Sequence, residues 1–348
     1  MAELRLVVTN PLEPENAELL ARLEPRLEVV YRPDLLGPGG IAPGGLRAAP
    51  FRRTPEQQEE YETLVDSAEA LFGVPQQSGK ALARTVAVNP RLRWVHTIPA
   101  GGGQQVRAAG LADADLARIV FTTSAGVHAE ALAEFAVLGV LAGAKQLPAM
   151  LDAQRRHEWG PARALGSVRG STVLVVGLGS IGRAAAAKLA ALGARVVGVH
   201  RRQVEVPGVE RIVPVEEFAA AASEADAIVL ALPGTEQTVG MLSAAVLDAA
   251  KPGIIVVNVG RGTTVDEPAL VAALHAGRVG AAVLDVVAVE PLAADSALWD
   301  APNVILSPHT AAVSGGEERA ITELVAENAR RLLDGEPLRN VVDTVEFY

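Results

Sequence analysis

The sequence predicts an α/β protein made of two doubly wound parallel-sheet domains, and three observations predict it. A short apolar run at 172–176 feeds into Gly177-Leu178-Gly179-Ser180-Ile181-Gly182, then an Ala-rich helical segment and a second apolar run at 196–199. Further short apolar runs recur on both sides of that unit, with polar or helical pieces between them. Such mostly uninterrupted apolar strands imply sheets covered on both faces. The chain has 348 residues, too many for one ordinary core, so two domains are expected.

The elements follow in order. Residues 4–8 form a β-like run, 15–23 have helical spacing and 27–31 are strand-like again. The Pro/Gly-rich stretch 32–50 reads as a long irregular loop. Thr54 and Pro55 are a cap and first-turn pair for a polar helix over 54–65. Apolar runs at 70–74, 94–98 and 119–122 complete a small parallel domain. Residues 129–144 form a long apolar helix placed as a connection between domains. The strand rhythm then returns at 172–176, 196–199, 212–213, 227–230, 253–257, 280–284 and 304–306. The amphipathic helix 317–333 comes after that sheet is complete and is expected to return to the first domain.

The bulk numbers bound the function. Hydrophobic residues make up 49% and charged residues 21%, an ordinary globular balance. A net charge of −10 argues against nucleic acid or an anionic membrane as partner. With no cysteine, disulfides, thiolate metal sites and a Cys nucleophile are excluded, and no metal site is expected. The first residues, MAELRLVVTN, read as a strand rather than a secretory leader, and no apolar run suits a membrane span. A cytoplasmic protein is expected.

The segment 171–202 has the spacing of a dinucleotide-binding unit. Gly177 permits a tight strand-to-helix turn, Gly179 lets the backbone approach a phosphate, and Gly182 allows close helix–strand packing. The helix N-terminus offers unpaired N–H groups and a partial positive charge to a pyrophosphate. An NAD site usually places Asp or Glu near the end of the second strand. This chain has His200-Arg201-Arg202 there, and no carboxylate before Glu205. Two guanidiniums can pair with a 2′-phosphate through charge-assisted bonds, so NADP(H) is the expected cofactor. A solvated basic turn that tolerates NAD(H) is the alternative.

Three more segments fall at the carboxyl ends of expected strands, where an open α/β sheet binds its ligands. They are Asn258-Val259-Gly260-Arg261-Gly262, the stretch from Asp285 to Glu290-Pro291-Leu292, and Ser307-Pro308-His309-Thr310. Arg can clamp a carboxylate with its fork of N–H donors. Glu can hold a His ring and favour its protonated form. That His can pass a proton at neutral pH.

With these motifs in this order, the chain resembles the D-isomer-specific 2-hydroxyacid dehydrogenase family, relatives of glyoxylate/hydroxypyruvate reductases. The resemblance covers almost the whole length and is strongest over 124–316. It implies a Rossmann dinucleotide-binding domain (126–310) inserted into a flavodoxin-like substrate domain (1–125 and 311–348). It further implies hydride transfer between NADP(H) and a small 2-oxo or 2-hydroxy acid of D configuration. His309 would exchange the proton, Glu290 would orient His309, and Arg261 would bind and polarise the substrate. Backbone N–H groups of Ala100, Gly101 and Gly102 would bind the substrate carboxylate. The cofactor would meet Gly177, Gly179, Ser180, Ile181, Gly182, His200, Arg201, Arg202, Leu232, Pro233, Thr238 and Val259, with Asp285 near the nicotinamide amide. A homodimer is also implied.

Some positions depart from the pattern. Ala100-Gly101-Gly102-Gly103 lacks the bulkier residue and acid that many relatives carry, and Val287-Ala288 replaces an aromatic–acid pair. His96, beside the substrate loop, is a candidate substrate contact. His128, His157 and His275 read as helix-surface or helix-end residues, and Trp159 reads as core, cleft cover or partner contact. The rival function on the same fold is a nucleotide-sensing, corepressor-like binding protein.

Overall fold

Alternating strand and helix segments close into two parallel sheets in a computed structural model of the chain, which describes residues 3–37, 51–313, 315–345 and 347. Most of the loop expected at 32–50 lies outside the described residues; its start makes a short 3₁₀ turn at Pro33–Leu35. The chain divides into two compact units, Met1–His128 with Val313–Tyr348, and Ala129–Ala312.

The first unit carries β1 (Leu4–Val8), β2 (Leu27–Val30), β3 (Ala70–Phe72), β4 (Trp94–Thr97) and β5 (Val120–Thr123). Their order is β2-β1-β3-β4-β5, all parallel, the flavodoxin-like arrangement. β3 ends two residues before the apolar run does, because Gly73 turns to φ +103° after giving its N–H to the His96 carbonyl at 2.8 Å. Leu6, Leu71, Phe72, Trp94 and Phe121 fill the core. The helix Glu317–Asp334 adds Ile321, Val325 and Ala329 to the same core, so the end of the chain does return to the first unit.

The second unit carries β6 (Thr172–Val176), β7 (Arg195–Val199), β8 (Val209–Val213), β9 (Ala227–Leu230), β10 (Ile254–Asn258), β11 (Val279–Leu284) and β12 (Val304–Leu306). The parallel order is β12-β11-β10-β9-β6-β7-β8. Counted from β6, this is the Rossmann order with one further strand, and the order reverses between β6 and β9. β8 begins three residues before the apolar run at 212, because Glu210 and Arg211 on this edge strand face solvent.

The helix Ala129–Ala144 lies on this sheet rather than serving only as a connection. A Cβ on Gly139 would come within 2.8 Å of Val257, and one on Gly143 within 2.6 Å of Ile255. Those two glycines let the helix backbone approach the strands. Among the described residues no single helix is long and apolar enough to cross a membrane.

Candidate active site

The glycine turn is built as its spacing requires. Gly177, directly after β6, has φ +95°, and a Cβ there would lie 2.7 Å from the Ala231 carbonyl oxygen. A Cβ on Gly182 would lie 1.8 Å from the Gly177 carbonyl oxygen, so the helix packs on the turn with no side chain between. Gly179 is the N-cap of the helix Ser180–Ala191, and open space surrounds its Cβ position. That opening lies at the carboxyl end of β6, beside the point where strand order reverses, with free N–H groups of the helix end facing it. Ser180 and Ile181 form the first helical turn.

Leu232 and Pro233 follow β9 across that reversal point. Thr238 folds the loop they begin: its Oγ1 donates to the Pro233 carbonyl at 2.7 Å and accepts from the Thr235 N–H at 2.9 Å. Val259 is buried beyond β10, its N–H on the Leu230 carbonyl at 3.0 Å. At the end of β7, the Arg202 N–H donates to His200 Nδ1 at 3.1 Å, while Arg201 Nη1 reaches Gln237 Oε1 at 3.2 Å. Both arginines are exposed.

Past the ends of β10, β11 and β12 stand the Arg, Glu and His. Glu290 Oε2 meets His309 Nδ1 at 2.8 Å, and Glu290 Oε1 accepts the Val287 N–H at 3.2 Å. Both side chains are partly open to solvent, leaving the ring's Nε2 side for a ligand. His309 has φ +55°, uncommon outside glycine, and its N–H is held by the Asp285 carbonyl at 2.9 Å. Arg261 makes no bond to either partner among the described residues. Its loop is closed by Asn258, whose Nδ2 donates to the Arg261 carbonyl at 3.0 Å, and by Thr264 Oγ1 on the same carbonyl at 2.7 Å. The Arg261 and Glu290 loops interlock, since a Cβ on Gly262 would sit 1.9 Å from the Val287 carbonyl carbon.

Asp285 is buried and anchors the His309 loop. Its Oδ1 accepts the N–H groups of Thr310 and Ala311 at 2.9 and 3.0 Å. Its Oδ2 is buried with no hydrogen-bond partner among the described residues. A buried acceptor without a donor is costly, so this atom suits an incoming ligand N–H. The open glycine cradle and this atom both fit a dinucleotide with an amide-bearing nicotinamide.

In the first unit, Ala100 and Gly101 are exposed after β4, while Gly102 is buried and turns back with its N–H on the Pro99 carbonyl at 3.0 Å. Thr97 Oγ1 occupies the place a Gly102 side chain would need, 1.7 Å from its Cβ position. His96 is a core residue. It is fully buried, with Nδ1 2.9 Å from Thr122 Oγ1 and Nε2 3.1 Å from Ser124 Oγ. Burial pushes its pKa down to about 3.

His128 is not a surface residue: it is buried 3.6 Å from Glu317. His157 and His275 do lie at helix ends. Trp159 is fully exposed, which removes the core reading. Among the described residues no cluster of His, Asp or Glu suits a metal. In the sequence Asn258 and Gly262 are only letters of a motif and Thr97 carries no signal; the close backbone approach at Gly102 and Gly262 is what ties these residues to the site.

A doubly wound sheet with an open glycine cradle and a carboxylate–histidine pair past its strand ends defines a dinucleotide-binding class of protein. The chain belongs to the D-isomer specific 2-hydroxyacid dehydrogenase family, whose NAD binding domain model matches residues 137–311. It is 33% identical to D-3-phosphoglycerate dehydrogenase of Mycobacterium tuberculosis (strain H37Rv) over 323 residues, 91% of this chain and 59% of that one. The chain therefore spans less than two thirds of that relative. Among solved structures, it is similar to a D-isomer specific 2-hydroxyacid dehydrogenase of Xanthobacter autotrophicus Py2 in complex with NADPH and MES. That match has a TM-score of 0.77 and 28% identity, covering 100% of both chains. It is also similar to an NADPH-dependent glyoxylate/hydroxypyruvate reductase of Sinorhizobium meliloti in complex with NADP and sulfate. There the TM-score is 0.76 and the identity 26%, covering 99% of this chain and 100% of that one.

Proposed function

We propose that the protein is an NADP(H)-dependent reductase of small 2-oxo acids that yields the D-2-hydroxy acid. The observation that carries this reading is the Glu290–His309 pair at 2.8 Å, past the strand ends that also present Arg261. The two solved relatives that carry NADPH or NADP support the choice of cofactor. Residues 126–310 would hold the dinucleotide, with Gly177, Gly179, Ser180, Ile181 and Gly182 at the pyrophosphate. His200, Arg201 and Arg202 would meet the 2′-phosphate, and Leu232, Pro233, Thr238 and Val259 would line the rest. Asp285 Oδ2 would take the nicotinamide amide.

Bound there, the reduced nicotinamide supplies a hydride for C2 of the acid. Glu290 holds His309 by Nδ1–H, which fixes the ring and aims Nε2–H at the carbonyl oxygen. As that oxygen gains charge, His309 gives up its Nε2 proton, so C=O becomes CH–OH. In the oxidative direction the neutral ring takes the proton back. Arg261 binds the carboxylate with its planar fork and polarises the carbonyl. In the first unit, backbone N–H groups of Ala100, Gly101 and Gly102 would hold a substrate carboxylate. The exposed apolar side chains Leu138, Met150, Leu151, Trp159 and Leu165 support a homodimer that covers them.

The test is a spectrophotometric screen of 2-oxo acids with NADPH and NADH. Turnover of glyoxylate or hydroxypyruvate with NADPH is expected. NADPH binding without turnover of any 2-oxo acid would overturn the reductase reading in favour of a nucleotide-sensing protein.

A further inference from the structure

We propose that Glu267 is a positioning residue for the Glu290–His309 pair, an inference that rests on reading that pair as the proton-handling site. Glu267 opens the helix Glu267–His275, yet that helix is capped by its neighbour: Asp266 Oδ1 accepts the Ala269 N–H at 3.1 Å. The Glu267 carboxylate instead accepts the backbone N–H of Ala288, 21 residues further on. Ala288 lies in the exposed loop that leads from β11 to Glu290.

Two adjacent amides of this loop thus meet two different carboxylates. Val287 N–H holds Glu290 Oε1, whose other oxygen meets His309, and Ala288 N–H is held by Glu267. On its other side the loop rests on Gly262, where a Cβ would lie 2.0 Å from the Val287 carbonyl oxygen. Gly262 sets how close the Arg261 loop comes, and Glu267 keeps the Glu290 loop from lifting away. An N–H bonded to a carboxylate is roughly twice as strong as a neutral bond, so this one contact can order an exposed segment.

The consequence is kinetic. A displacement of about 1 Å in a reacting group costs on the order of a hundredfold in rate, so slack in this loop lowers turnover without touching cofactor contacts. Glu267→Ala removes the acceptor, and Glu267→Gln keeps an acceptor oxygen while removing the charge.

The experiment measures backbone hydrogen exchange in the full chain without cofactor, together with kcat and KM for glyoxylate with NADPH. Glu267→Ala is expected to exchange faster within 285–292 alone. Its kcat should fall by about tenfold or more with KM for NADPH unchanged, and Glu267→Gln, which keeps the acceptor but not the charge, should restore part of both. Wild-type exchange in that segment would overturn the proposal. So would faster exchange across the whole second unit with no rescue by Gln, which marks a merely structural role. Glu290→Gln is measured alongside. Wild-type turnover in that variant sinks the reading of the pair itself, while the exchange data still decide whether Glu267 holds the loop.

Discussion

His309 and His96 are the same side chain placed in opposite surroundings. His309 stands past the end of β12, partly open to solvent, with one ring nitrogen on a carboxylate. His96 sits within β4, fully buried, with both nitrogens satisfied by hydroxyls and ring edges against Phe72 and Trp94. A carboxylate partner and an open face let a ring exchange protons, whereas a dry hydroxyl cage holds it neutral. The difference teaches that a strand-end histidine is read by its neighbours, not by its place in a motif.

The comparison breaks most visibly at His309. His309→Ala is expected to lower kcat for a 2-oxo acid by about a hundred- to ten-thousandfold, the usual contribution of a positioned acid–base group. The folding midpoint should barely move, since a partly exposed side chain away from the core is usually worth less than about 0.5 kcal/mol. Steady-state rates beside urea unfolding curves check both. Turnover near wild type would remove His309 from proton transfer.

How much of this contrast could be read from residues alone differs between the two sites. The strands were legible because parallel strands covered on both faces are apolar throughout; the runs at 172–176, 227–230 and 304–306 coincide with β6, β9 and β12. β8 was legible only at its last two residues, 212–213, since the polar Glu210 and Arg211 share its ladder. Gly177 and Gly182 were legible because the crowding that excludes a Cβ follows from a tight turn. The cage around His96 was not, because Thr122 and Ser124 lie on a different strand end and only register brings them together. The Ala288–Glu267 bond was hidden for the same reason: a glutamate in a first helical turn reads as helix stabilisation, and nothing local says that it faces a loop instead.

A second contrast lies between the glycine cradle, which would bind either nicotinamide dinucleotide, and the Arg201–Arg202 pair, which would discriminate between them. Charge-assisted bonds to a phosphate are worth about 1.5–3 kcal/mol each, so replacing both arginines with Ser should cut kcat/KM with NADPH by roughly a hundredfold or more. Rates with NADH should hardly change, because the 2′-hydroxyl offers those guanidiniums no charge. Equal kcat/KM for the two cofactors in the unaltered protein would show that the pair is a solvated turn.

The smallest effect sharpens the His96 side of the comparison. The folded ring is held neutral, with its pKa pushed down to about 3, while an unfolded histidine titrates near 6.5. Between those values the unfolded chain binds one more proton than the folded one, so lowering the pH favours unfolding. The stabilisation is complete above about 6.5 and is lost at up to about 1.4 kcal/mol per pH unit as the pH falls toward the folded value. His96→Gln keeps hydrogen-bonding capacity for Thr122 and Ser124 but cannot titrate, so it should lose less stability than wild type between pH 7 and pH 5, whatever its stability at neutral pH. Urea unfolding of both proteins at the two pH values measures that difference directly. An identical loss in both would mean that the ring is protonated within its cage, and the two histidines would then differ in burial but not in chemistry.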